Sequence, residues 1–496
     1  MSLRSPFAAA RACPAIAALV LALLFAGCAA RPWNLKQPPG VSPAPQTAWT
    51  PPPEEQRPTP VPEQPPAPAP SPATAPAPLT LSELLDIGLA HHPDTRAAWL
   101  AAQSAAAGLA ASQGTLYPRI AATAFASRSK VPGSGGSAVE QTTYGPGIEV
   151  SWLLLDFGGR RAGIEQARQT LIAADWTHNA AIADRVLEIT SSYHDYQAAQ
   201  ALREAQLAVV KEATINLEAA QARHDAGLAT LSDVLQARTA LSSAELRLAT
   251  YEGAVARSRG VLNNAAGRGA AEPIEIEGLP ADLPVSEVAE QIKSVIADAL
   301  ARRPEIAAAE ARTKQAQARL DQAKAEGRPS ISFVGTAGRV YFTDPAYDLS
   351  TYTGAVAFRW PVFSGWAQRA NVAGATVDLE TARARAESLR RQIDLEIFTS
   401  FHDVHTAAER VRTSRDLMAS ATQNQDAALG RYNAGVGSII ELVAAQGALA
   451  DARSQEVLAR TQWLDSLAHF VHDRGAAPSP AAASSTPAAT QKGNNP

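Results

Sequence analysis

Nine histidines, forty-eight carboxylates and two cysteines are the side chains of this 496-residue sequence with chemistry to offer. His402 and His405, and again His469 and His472, lie at i, i+3, the spacing that puts two imidazoles on one helix face. A helical zinc site needs a carboxylate–histidine motif beside such a pair, and none accompanies these. Both pairs therefore read as ordinary helix-surface residues, and no metal is expected. Asp156-Phe157-Gly158 spells the magnesium motif of a protein kinase, but no Gly-rich loop or catalytic-loop signature goes with it. Phosphate loops and Gly-x-Ser-x-Gly elbows are also missing from the sequence. The chain is not read as an enzyme, and no cofactor is expected.

The cysteines point elsewhere. Residues 1–27 have the layout of an export signal: Arg4 and Arg11, then an apolar run over 15–26 too short to span a bilayer. Leu24-Phe25-Ala26-Gly27-Cys28 is similar to a bacterial lipobox, with Phe25 where leucine is usual. Cys28 would then be the lipidated, palmitate-bearing N-terminus, which removes a lone thiol from an oxidising compartment. From Pro38 to Pro78, 17 of 41 residues are proline, so 28–78 reads as a lipid-linked, polyproline-like tether. The Pro/Ala/Ser tail 475–496 reads as disordered. A net charge of −4 and no Lys/Arg cluster argue against a nucleic-acid partner.

The body between them is written twice. His92-Pro93 returns as Arg303-Pro304 and Tyr117-Pro118 as Arg328-Pro329, each 211 places on. Ser192-Tyr193-His194-Asp195 returns as Ser400-Phe401-His402-Asp403, and His224-Asp225-Ala226-Gly227 as Tyr432-Asn433-Ala434-Gly435, each 208 places on. A unit this long is a duplicated half-molecule rather than a solenoid repeat. The halves are 79–284 and 285–474, each with a helix, two strands and a long helical hairpin.

Period-2 alternation predicts strands near 119–128 and 143–154, then near 331–342 and 351–360. In the second, Tyr144, Pro146, Ile148, Val150 and Trp152 share a face; in the fourth, Tyr352, Gly354, Val356, Phe358 and Trp360 do. Such segments, about ten residues long with terminal aromatics, match lipid-facing strands of a membrane barrel. Helical periodicity fills 81–114, where Ser82 is placed to cap, then 159–227, 228–262, 286–326, 365–435 and 436–471. Each long helix, roughly 100 Å at 1.5 Å per residue, is balanced by two shorter ones stacked end to end: 228–262 with 286–326, and 436–471 with 81–114. Leu231, Leu235 and Leu241, with counterparts Ile439, Val443 and Leu449, predict coiled-coil seams interrupted by Arg238 and Gln446. Four strands cannot close a barrel, since the smallest have about eight. An open edge in lipid leaves backbone groups unpaired at several kcal/mol each, so the chain must assemble with copies of itself.

These features together resemble the TolC-like outer-membrane efflux family, the outer membrane factors. The resemblance rests on Leu79-Thr80-Leu81-Ser82-Glu83-Leu84-Leu85, His92-Pro93-Asp94, Leu116-Tyr117-Pro118-Arg119, and the passages Leu154-Leu155-Asp156-Phe157-Gly158-Gly159-Arg160 and Trp360-Pro361-Val362-Phe363-Ser364-Gly365. It implies a mainly α protein with a transmembrane β-barrel: a homotrimer whose twelve strands cross the outer membrane and whose twelve long helices form a tunnel through the periplasm. The implied function is the outer-membrane channel of a tripartite efflux system, exporting small molecules with an inner-membrane pump and a periplasmic adaptor. The alternatives are a type I protein-secretion channel and a periplasmic helical adaptor. The resemblance further implies adaptor-contact tips at Gly227, Leu228, Gly435 and Val436. It places a periplasmic gate at Ser232, Asp233, Tyr432 and Glu441, with Asp233 hydrogen-bonded to Tyr432. The family's gate arginine falls at Gly437 and one of its two acidic rings at Ala444, which implies a looser gate and weaker cation selectivity.

Overall fold

Thr80 starts the body with a capping box: its hydroxyl accepts from the Glu83 N–H while the Glu83 carboxylate accepts from the Thr80 N–H. The cap is therefore Thr80, not Ser82, whose hydroxyl bonds that of Thr80. The computed structural model describes residues 40–51, 78–132, 138–280, 283, 292–343 and 346–475. The export signal, Cys28, the stretch 52–77 and the tail from 476 lie outside them.

What reads as one helix over 81–114 is two, α1 (Leu81–His91) and α2 (Pro93–Gly114), because Pro93 can neither donate nor allow α geometry before it. Strands β1 (Arg119–Pro132) and β2 (Ala138–Leu155) follow. Then come α3 (Gly159–Asp225), 67 residues long, and α4 (Leu231–Ala265). The second half repeats the order: α5 (Ile292–Arg302), α6 (Pro304–Glu326), β3 (Ser330–Thr343), β4 (Ala346–Arg359), α7 (Ala367–Asn433) and α8 (Ile439–Asp473). Again α7 has 67 residues and α8 has 35, as α4 does. The long helices are flanked as their lengths require: α3 by α4, α2 and α6, and α7 by α8 and α6.

The four strands form one antiparallel meander, β1-β2-β3-β4, so β2 and β3 join the two halves. Rings pair across it, Tyr144 on Tyr341 at 5.3 Å and Phe342 on Tyr347 at 4.3 Å. Among the described residues the outer edges of β1 and β4 have no strand partner. No described helix is long and apolar enough to cross a membrane.

Two cores sit at mid-height, where the shorter helices break, and they correspond residue by residue. Leu84, Ile189, Tyr193, Tyr196 and Leu262 build one; Val295, Ile397, Phe401, Val404 and Phe470 build the other. Elsewhere the long helices touch through alanine, as at Ala213, Ala220, Ala237 and Ala244, which lets backbones approach closely. The expected seam holds only in the second hairpin. Ile439 and Leu449 are buried, but Leu231 and Leu235 face outward and α4 buries Val234, Ala237 and Ala244 instead. Near the tip the buried face of α4 is thus built from small residues, and its leucines at 231 and 235 lie on the outer side.

At the first strand-to-helix passage Asp156-Phe157-Gly158 forms an elbow. The Asp156 carboxylate accepts the Arg160 N–H, and Gly158 turns at φ +109°. Phe157 and Trp366 adopt left-handed φ at the two equivalent elbows, +48° and +69°, a strain of roughly 1 kcal/mol or more each. Arg328 braces the first by donating to the Phe157 carbonyl at 2.7 Å.

Residues 40–51, expected inside an extended tether, instead lie docked on α3 and α2. Asn179 exchanges two 2.7 Å hydrogen bonds with the Trp49 backbone, the Trp49 ring meets Trp176 edge-on at 5.4 Å, and the Trp99 indole donates to the Ser42 carbonyl. On the same face of α3, Asp175 is wholly buried, and neither carboxylate oxygen has a partner among the described residues. Burial pushes its pKa up to about 8. The folded state thus holds a proton that the unfolded chain releases near pH 4. The resulting stability is complete below that pH and is lost as pH rises to about 8, at about 1.4 kcal/mol per unit. Asp175→Asn mimics the neutral acid. Denaturation midpoints between pH 5 and 8 should converge at the acid end and favour the variant increasingly towards pH 8. Parallel curves would remove Asp175 from the pH response.

Candidate functional site: the hairpin tips and the polar belt

Both tips are glycine C-caps. Gly227 and Gly435 sit at φ +75° and +76°, and the next N–H, of Leu228 or Val436, reaches back to the carbonyl of Arg223 or Arg431. The apolar residue after each glycine projects into solvent, Leu228 and Val436 both 73% exposed. The chain then restarts as helix from Thr230, capped with Asp233, and from Ser438, whose hydroxyl accepts the Glu441 N–H.

Tyr432 is buried against Ile439 and Leu442. Its partner from the first hairpin is Arg223, not Asp233. The guanidinium lies 4.7 Å above the Tyr432 ring and donates to the Tyr432 carbonyl at 3.1 Å. Asp233 is occupied by the Thr230 N–H at 2.8 Å, because a capping box satisfies orphan N–H groups locally. Ser232 is exposed on a groove shared with Leu235, Ile440 and Val443. Glu441 pairs with Arg431 at 3.1 Å. Arg223 and Arg431 were missed by the sequence reading, although they are the same residue 208 places apart, directly before the repeated tip motif. Above them Asn216–Gln446, Glu212–Arg453 and Arg247–Asp451 continue a ladder of polar contacts between the hairpins.

At mid-height the charges gather into a belt. Arg303, 6% exposed at its side chain, holds Glu305, Glu396 and Asp473 at 3.1–3.2 Å. His472 is not the surface residue its spacing suggested: its ring is mostly buried, with Nδ1 3.1 Å from Asp473 and Nε2 3.0 Å from Asp184. Burial alone would lower its pKa, but the hydrogen bonds to Asp184 and Asp473 outweigh it and lift the value to about 9. His402 and His405 pack their rings on Phe401.

Residues 84–268 and 295–471 each match the outer membrane efflux protein family, one stretch for each half of the duplication. Protein CyaE of Bordetella pertussis is 29% identical over 399 residues, 77% of this chain and 81% of that one. The probable efflux pump outer membrane protein TtgC of Pseudomonas putida is 26% identical over 374 residues, 74% and 76% of the two chains. Among solved structures, the outer-membrane channel OprN superposes with a TM-score of 0.74 at 21% identity, covering 80% of this chain and 89% of that one. The outer membrane protein VceC of Vibrio cholerae gives 0.71 at 21% identity, over 80% and 96%. With both halves matched across most of its length, the chain belongs to the outer membrane efflux protein family.

Proposed function

We propose that this chain is the outer-membrane channel of a tripartite efflux system, in which three copies pool their strands into a twelve-stranded barrel and their hairpins into a periplasmic tunnel. The observation that carries this reading is a four-stranded sheet whose outer edges have no strand partner among the described residues, continuous with two 67-residue helices. Its exposed apolar side chains, among them Ile148, Trp152, Tyr352, Val356 and Phe358, suit lipid. Edges that would be costly in lipid are satisfied when β1 of one copy meets β4 of the next. Such a channel passes what an inner-membrane pump delivers through a periplasmic adaptor, for which Leu228 and Val436 offer apolar tips. The lipid anchor at Cys28 belongs to the same proposal; an N-terminal peptide without acyl mass would refute it.

The gate forms where the hairpins narrow, from Tyr432, Ser232, Asp233 and Glu441 together with Arg223. A charged hydrogen bond such as Arg223–Tyr432 contributes about 1.5–3 kcal/mol, whereas the exposed Arg431–Glu441 pair contributes less than about 1 kcal/mol. Arg223 is thus the stronger latch. Purified trimers in planar bilayers should show discrete conductance, and Arg223→Ala should raise the resting level several-fold. A wild type that passes no ions sinks the channel; an unchanged variant sinks only the latch.

A further inference from the structure

We propose that Asp184, Glu305 and His472 form a binding site for one divalent transition-metal ion of the zinc class per chain. The three come from different helices, α3, α6 and α8, and their ligand atoms all lie within 4.8 Å of one another. In a tetrahedral zinc site, ligand atoms about 2.0–2.2 Å from the metal stand somewhat closer together than that, so the Glu305 carboxylate, held by Arg303 at 3.1–3.2 Å, turns partly away from the guanidinium to meet the ion. One imidazole and two carboxylates are donors that suit borderline ions of this class.

The histidine is held as a metal ligand would be. Its Nδ1 faces the Asp473 carboxylate at 3.1 Å, the outer-shell partner a metal-bound histidine keeps, and its Nε2 is aimed at Asp184, 3.0 Å away. At that distance Nε2 and the Asp184 carboxylate share a hydrogen bond, with the proton donated by the ring. An ion there takes the place of a proton, which leaves to the buffer. The surroundings favour cations: the cleft holding the three side chains, about 760 Å³, is lined by six Asp or Glu residues against two Arg. Asp184, whose side chain is 65% exposed, gives the ion a way in.

The fold does not demand this cluster. At the equivalent place in the first half, 208 residues earlier, His472 and Asp473 are replaced by Asn264 and Ala265. The first half keeps His92 and Asp94 where the second has Arg303 and Glu305, but nothing there matches the imidazole and carboxylate that α8 supplies, so that pair is an addition to the duplicated architecture. A bound ion would tie the descending helix of the first half to both ascending helices of the second.

Full-length protein in detergent, stripped with EDTA, is titrated with ZnCl₂ by calorimetry and with CoCl₂ by visible absorption. Saturation at one ion per chain is expected, with cobalt bands of four- or five-coordinate intensity. His472→Ala and Asp184→Asn should each weaken zinc binding at least tenfold, and Asp473→Asn by about 10–100-fold. His469→Ala, outside the triad, should leave it unchanged. Asp184 is exposed enough that its replacement leaves the fold intact, which keeps the test valid if His472→Ala misfolds. Absence of saturable binding below millimolar zinc overturns the site. So does equal affinity in Asp184→Asn and wild type, which would place the ion elsewhere.

Discussion

Arg303→Met is expected to lower the unfolding free energy by about 3 kcal/mol, while His92→Ala, at the equivalent position of the first half, costs about 1 kcal/mol. The contrast follows from what each side chain holds. His92 accepts the Asp94 N–H at 3.2 Å and so caps α2. Arg303 precedes Pro304 in the same way but is the shared counter-ion of Glu305, Glu396 and Asp473. Methionine keeps the apolar stem and removes the charge, stranding three carboxylates in a partly dry belt. Breaking a fully buried pair costs about 3–5 kcal/mol; the low end applies because Glu305 and Glu396 retain some water. Urea midpoints followed by helical circular dichroism check this, and equal losses in the two variants would show that the belt contributes no more than a cap.

Val356→Arg should impair insertion, with a cost of about 2–4 kcal/mol per chain if Val356 lies near the bilayer midplane and less towards its surface. Val356 is 67% exposed on the face that Tyr352 and Phe358 share. Its neighbour Ala355 points to the other face, since successive strand side chains alternate, and Ala355→Arg should be tolerated in a water-filled lumen. Folding each variant into phosphatidylcholine vesicles and measuring the protease-resistant fraction separates them. If both arginines insert equally well, the apolar face does not meet lipid and the barrel reading fails.

Much of this fold is legible because helix length and strand alternation are local properties. Glycine punctuation at 227 and 435 sets the hairpin lengths, and the alternation around Trp152 and Phe358 marks strands whose neighbours are similar segments. The break at Pro93 is legible too, because a proline biases the residue before it out of the α region. Caps are harder to read, because Thr80 and Ser82 both offer a hydroxyl and only backbone geometry chooses between them. Asp233 shows the same limit: a carboxylate three residues after Thr230 serves its own helix first, so its match to a gate position did not fix its partner.

Periodicity and length suffice for the duplication, for the helix and strand complement, and for the impossibility of a closed barrel from one copy. Tertiary packing alone sets Arg223 on Tyr432, residues 40–51 against His178 and Asn179, and His472 beside Asp184 and Glu305. Those contacts join residues about 130 to 290 places apart, and no spacing rule reaches across helices. Which charges share a dry belt depends on how long helices cross.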